Sequence, residues 1–171
     1  MRRTIIAALA VSATLVLGAC GSSSSSSSGS ASGSSTSAGG GAGRPCDAPK
    51  VTGKPAVTVP AAPATELQIT DDKVGTGPAA TADSTVTVNY VGCGQISAKQ
   101  FDSSWDRGQA AQFPLSQVIT GWQNGIPGMK VGGRRLLVIP GDQAYGANPP
   151  PGANIQPNET LIFVVDLVSI P

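Results

Sequence analysis

The stretch VITGWQNGIPGM (118–129) sets one of the chain's two tryptophans on a short apolar segment crowded with glycine and closed by proline. Ser116 is a suitable N-cap and Pro127 with Gly128 a suitable stop, so the pattern predicts one short helix over 118–126. A glycine inside so short a helix costs on the order of 1 kcal/mol relative to alanine. The segment therefore poses a question: does Trp122 fill a core, or does it offer a surface?

The flanking sequence reads as strand. ELQITD (66–71) is short, with Leu67 and Ile69 on one face, and the Gly75-Thr76-Gly77-Pro78 cluster after it marks a turn. TVTVNYV (85–91) alternates, placing Val86, Val88 and Tyr90 on one face and Thr85, Thr87 and Asn89 on the other. RRLLVIP (134–140) and TLIFVVDLVSI (160–170) complete the pattern. In the latter, Leu161, Phe163, Val165 and Leu167 share a face and Asp166 is expected toward solvent. Antiparallel strands around one helix predict an α+β fold in which a twisted sheet wraps the helix.

Composition narrows the chemistry. The chain has seven aromatic side chains, and all fall between Tyr90 and Phe163, so the packed core is expected there. Histidine is absent, which removes Ser-His-Asp and Cys-His nucleophiles, histidine metal sites and imidazole proton shuttles. No metal and no cofactor are predicted. Formal net charge is +1 and no basic cluster follows the first few residues, so a nucleic-acid partner is set aside.

The first twenty residues, MRRTIIAALAVSATLVLGAC, have a basic start, an apolar run too short to span a bilayer comfortably, and small residues before Cys20. LGAC (17–20) resembles the bacterial lipobox, in which Cys20 is lipid-modified. The plainer alternative is an ordinary signal peptide. The reading predicts a lipid-anchored protein on the extracytoplasmic face of the cell membrane, with a signal peptide over 1–19. Residues 20–43 then form the lipidated cysteine and a disordered Ser/Gly linker with an r.m.s. span of about 25–30 Å. A proline-rich spacer over 44–63 is expected to be stiffer and more extended, and the folded domain occupies 64–171. Outside the cytoplasm Cys46 and Cys93 are candidates for a disulfide, with two free thiols as the alternative.

Five motifs then stand in register: VNYVG (88–92), KQFDSSWDRG (99–108), VITGWQNGIPGMKVGGRR (118–135), AYGA (144–147) and TLIFVVDL (160–167). Together they resemble the FKBP-type peptidyl-prolyl isomerases over roughly residues 64–171. The resemblance implies a substrate proline held between helix and concave sheet. Trp122 would be the floor, and Tyr90, Phe101, Phe113, Val118, Ile119, Ile155 and Phe163 the walls. Tyr145 would stand at the rim to bond a substrate carbonyl, and the Ile119 N–H would bond another. Asp102 would sit beside Tyr90 and pair with Arg107. Six of the seven aromatics fall on these positions, and only Trp105 does not. Ala111 and Gln156 stand where family members often carry a pocket-edge Phe and a second Pro.

The resemblance implies a monomeric isomerase that takes proline-containing polypeptides and accepts macrolide inhibitors of the FK type. A second reading is an FKBP-like module that binds proline-containing segments with little turnover. A purely structural envelope lipoprotein is a third.

Overall fold

The computed structural model describes residues 43–171. The expected signal peptide, Cys20 and nearly all of the expected Ser/Gly linker lie outside the described residues. Eight strands and one helix follow in order: β1 (Arg44–Pro45), β2 (Thr58–Val59), β3 (Gln68–Lys73), β4 (Thr85–Gly94), β5 (Gln100–Ser103), β6 (Ala111–Pro114), α1 (Thr120–Gly125), β7 (Arg134–Ile139) and β8 (Leu161–Ser169). Strands β3 to β8 form one antiparallel sheet in the order β3-β7-β8-β4-β5. The same edge of β4 that pairs with β5 near its end pairs with β6 near its start. This FKBP-like arrangement is the expected one, a sheet around a short helix.

Alternation along β4 sends Val86, Val88 and Tyr90 into the main core. There they join Leu137 and Ile139 of β7, Leu161, Phe163, Val165 and Leu167 of β8, and Trp122 and Ile126 of the helix segment. Asp166, on the other face, is half-buried and takes a bidentate bond from its register partner Arg134, both contacts 2.6 Å.

Strand β8 departs from simple alternation, because Leu161 through Val165 are all buried. The cause is a second apolar cluster on the opposite face, in which Ile162, Val164, Val91, Cys93 and Val138 are covered by Val57 and Val59. Residues 44–63, whose prolines predict an extended spacer, are thus packed on the back of the sheet. Strands β1 and β2 pair with each other, Asp47 bridges to Lys99, and Cys46 is bonded to Cys93 with their Cα atoms 6.3 Å apart. The apolar side chains of VTV (57–59) gain more by burial than the prolines gain by staying extended.

The helix is shorter than its pattern predicts. Ser116 does not cap it and sits instead in a 3-10 turn, Leu115–Gln117. Ile119 flanks the helix start, and its carbonyl accepts from the amides of Trp122 and Gln123. The Gln123 side chain reaches back to the Val118 carbonyl at 2.7 Å, so the first turn closes without Ser116. At the other end the buried Arg135 donates to the carbonyls of Gly125 (2.7 Å) and Pro127 (3.4 Å), a cation placed where the helix dipole favours it.

Candidate active site

The glycine inside the helix has a packing cause. A Cβ on Gly121 would lie 2.3 Å from Ile139 Cγ2, and one on Gly125 would lie 2.8 Å from Leu137. The two glycines let α1 settle directly on β7, at the helix-propensity cost the sequence implies. That depth presents Trp122, 4 % exposed, to the space between helix and sheet.

The space is a cavity of about 250 Å³ lined by Tyr90, Phe101, Asp102, Phe113, Gln117, Val118, Ile119, Trp122, Tyr145 and Phe163. All six aromatics placed there by sequence meet around it. The Trp122 indole stands edge-on to Phe163 at 5.3 Å, Tyr90 at 5.6 Å and Phe113 at 5.7 Å. Phe101 stands edge-on to Phe163 at 5.5 Å. Tilted aromatic pairs of this kind hold one another in place beyond their area of burial. The Trp122 N–H is buried and finds no acceptor among the described residues.

The polar wall is one network. The Tyr90 hydroxyl donates to Asp102 Oδ2, and Arg107 donates to Asp102 Oδ1 through one nitrogen and to the Tyr90 oxygen (2.9 Å) through the other. The Ser103 amide also donates to Asp102 Oδ1, at 2.7 Å. Burial first, then the bond to Asp102, push the Tyr90 hydroxyl up to about 12, so it stays a neutral donor across the physiological range. Burial, then the Asp102 charge, also raises Tyr145, which stands 37 % exposed at the rim. No acceptor among the described residues takes the Ile119 N–H at the mouth.

Ile155 is the exception among the predicted walls. It is buried in the main core cluster and does not line the cavity. The Gln156 amide bonds the buried carboxylate of Glu159 and the Asn158 amide bonds the Gly146 carbonyl, which folds the loop back on itself. Two contributors were missed. Gln117 lines the cavity from the turn before the helix. Gly92 leaves room for the walls, since a Cβ there would lie 2.6 Å from Phe101 and 2.8 Å from Phe163. A glycine inside a strand is the signal for such close approach.

A larger hollow of about 650 Å³ lies beside the 131–134 turn and the Arg134–Asp166 pair. It has no aromatic wall, and its Arg134 and Asp166 already bond each other. No group of three or more His, Cys, Asp or Glu placed to hold a metal ion occurs among the described residues.

Comparison with known proteins decides what the aromatic cavity belongs to. The family described as FKBP-type peptidyl-prolyl cis-trans isomerase matches residues 77–168. The chain belongs to this family. Among relatives of the isomerase, a "Probable FK506-binding protein" of Corynebacterium glutamicum is 50 % identical over 117 residues, covering 68 % of this chain and 98 % of that one. An "FK506-binding protein" of Streptomyces anulatus is 50 % identical over 120 residues, covering 68 % and 97 %. The crystal structure of a peptidyl-prolyl cis-trans isomerase from Pseudomonas syringae superposes with a TM-score of 0.55 at 38 % identity, over 61 % of the isomerase described here and 74 % of that chain.

Proposed function

We propose that this isomerase works at a membrane surface on the extracytoplasmic side, catalysing X-Pro rotation in exported polypeptides as a tethered monomer. The lipobox-like LGAC (17–20) supports the anchor, and the Cys46–Cys93 disulfide supports an oxidising compartment.

The chemistry is that of the family, and the cavity accounts for it without a nucleophile. Rotation about a peptide bond meets a barrier of about 18–20 kcal/mol because it breaks amide resonance. The planar amide is more dipolar than the twisted one. An apolar cavity walled by Trp122, Phe113 and Phe163 therefore disfavours the ground state more than the transition state. The Tyr145 hydroxyl at the rim and the Ile119 amide supply donors that favour the twisted carbonyl geometry, while the Tyr90 hydroxyl holds Asp102 in place. Lowering the barrier by about 5–7 kcal/mol corresponds to four to five decades in rate. The single observation that carries this reading is the meeting of six aromatics around one small cavity in a chain without histidine.

The test is an isomerisation assay on short proline peptides with and without a macrolide of the FK type. Saturable turnover that the macrolide suppresses supports the enzyme, and saturable binding without turnover favours a binding module. For the anchor, Cys20→Ser is expected to move the protein from the membrane fraction to the soluble one. Unchanged partitioning would overturn lipidation.

A further inference from the structure

Lys54 belongs to the segment on the back of the sheet, yet its side chain is only 3 % exposed. Lysine is almost never buried unless paired, and here the pairing is complete. The ammonium donates to Asp106 Oδ1 at 2.8 Å, to the Gln100 carboxamide oxygen, and to the Pro49 carbonyl at 3.1 Å. Gln100 donates in turn to the other Asp106 oxygen. Although partial burial opposes it, the bonds from Lys54 and then Gln100 hold the Asp106 carboxyl below the ordinary range. Trp105, the one aromatic outside the cavity, packs over Gly53, where an added Cβ would lie 3.2 Å from the indole.

Asp106 and Trp105 sit in a tight turn. The Arg107 amide bonds the Ser104 carbonyl and the Gly108 amide bonds the Trp105 carbonyl, both at 3.1 Å, and Gly108 takes a φ of +70°. Next in the chain is Arg107, which holds Asp102 and Tyr90. Asp106 thus faces the strap formed by residues 44–63 while Arg107 faces the cavity. The Arg107 side chain is 44 % exposed, so little besides its own bonds and the turn's backbone fixes it. The far side of the strap is pinned by the Cys46–Cys93 bond and by the Asp47–Lys99 bridge.

We propose that Lys54 is a positioning residue of the isomerase, clamping the 104–108 turn through Asp106 so that Arg107 stands in register with Asp102 and Tyr90. The inference rests on the reading that this polar network serves the reacting pocket. It gives the residues N-terminal to the family match a part in turnover as well as in packing. A displacement of an ångström in a polar group at a reacting site is enough to alter rate strongly.

The experiment uses the full chain and a short proline peptide, with kcat and KM read per folded molecule. It compares Lys54→Met, Asp106→Asn, Arg107→Gln and the double variant Lys54→Met with Arg107→Gln. Lys54→Met and Asp106→Asn are each expected to lower kcat/KM by about threefold to tenfold. In the Arg107→Gln background, Lys54→Met is expected to add nothing, because both act through one network. Should Lys54→Met fail to fold, Asp106→Asn, on the partly exposed side of the pair, replaces it in the cycle. Full activity of both single variants overturns the proposal, as does an equal loss in both backgrounds, which marks a purely structural strap. If Arg107→Gln alone leaves turnover untouched, the polar part of the pocket reading fails as well. That outcome is distinct from a silent Lys54.

Discussion

The Tyr90 hydroxyl is committed to the Asp102 carboxylate, and Arg107 bonds both partners while its guanidinium lies 5.5 Å from the Tyr90 ring centre. The pair faces a cavity whose other walls are mostly aromatic and aliphatic, and Tyr90 itself packs edge-on to Trp122. One residue therefore joins the polar wall to the aromatic one. Tyr90→Phe keeps the ring and removes the donor. We expect kcat/KM to fall by about tenfold, the order of one hydrogen bond to a charged group. The check is peptide turnover beside a urea melt of the same sample.

Arg107 and Asp102 are each two-fifths exposed, so their ion pair contributes little to the fold. Arg107→Gln is expected to shift stability by less than about 1 kcal/mol while turnover drops. A stability loss that explains the whole drop would assign the pair to structure.

Stability should vary with pH at both extremes. The bonds from Arg135 to Asp71 hold that carboxyl low, and Asp106 is likewise lowered. Unfolding then takes up protons as the pH falls, so their contribution is complete above the ordinary aspartate value of about 4 and fades below it. Tyr90 works in the opposite direction. Its pKa is raised from 10.0 to about 12, so its contribution is complete below 10 and is lost as pH climbs toward 12. Urea midpoints measured across pH should decline at both ends. Between about pH 6 and 9 a chain without histidine should show a flat kcat/KM.

Much of the site was legible because it is written locally. The first half of β4 alternates, and the aromatic positions follow from strand period and motif register. What escaped depends on contacts between distant segments. Prolines 45, 49, 55, 60 and 63 state a local stiffness, and nothing in their spacing tells that Val57 and Val59 cover Ile162 and Val164. Lys54 reads as an ordinary surface lysine until its partner is seen 52 residues away. Gly121 reads as a weak helix position until Ile139 is seen against it, and only then does its cost have a cause.

That contact yields a prediction with a counterintuitive sign. By propensity alone, Gly121→Ala gains about 1 kcal/mol. The new methyl meets a fully buried Ile139, and overpacking of that kind costs about 1–3 kcal/mol. We expect a net loss in the urea midpoint, and a gain would show that α1 can lift from β7 freely.

The disulfide closes a loop with a sequence separation of 47. By chain entropy, Cys46→Ser should cost up to about 4 kcal/mol. Urea unfolding reads that loss, and non-reducing peptide mapping of exported protein should recover the linked Cys46–Cys93 pair. Two freely alkylatable thiols would leave Val57, Val59, the Asp47–Lys99 bridge and the Lys54–Asp106 pair to hold the strap.

The central claim is that Trp122 is a binding floor whose packing role is secondary. Trp122→Leu retains much of the apolar volume, removes a buried N–H that has no acceptor among the described residues, and deletes the ring face. A modest stability loss of about 1–3 kcal/mol is expected, with turnover falling well beyond it. The deciding measurement is kcat/KM per folded molecule for Trp122→Leu, with the folded fraction taken from the urea curve of the same sample. We expect a fall of at least tenfold, the equivalent of about 1.4 kcal/mol in transition-state stabilisation. Unchanged turnover per folded molecule would make Trp122 a core residue and place the isomerase site elsewhere.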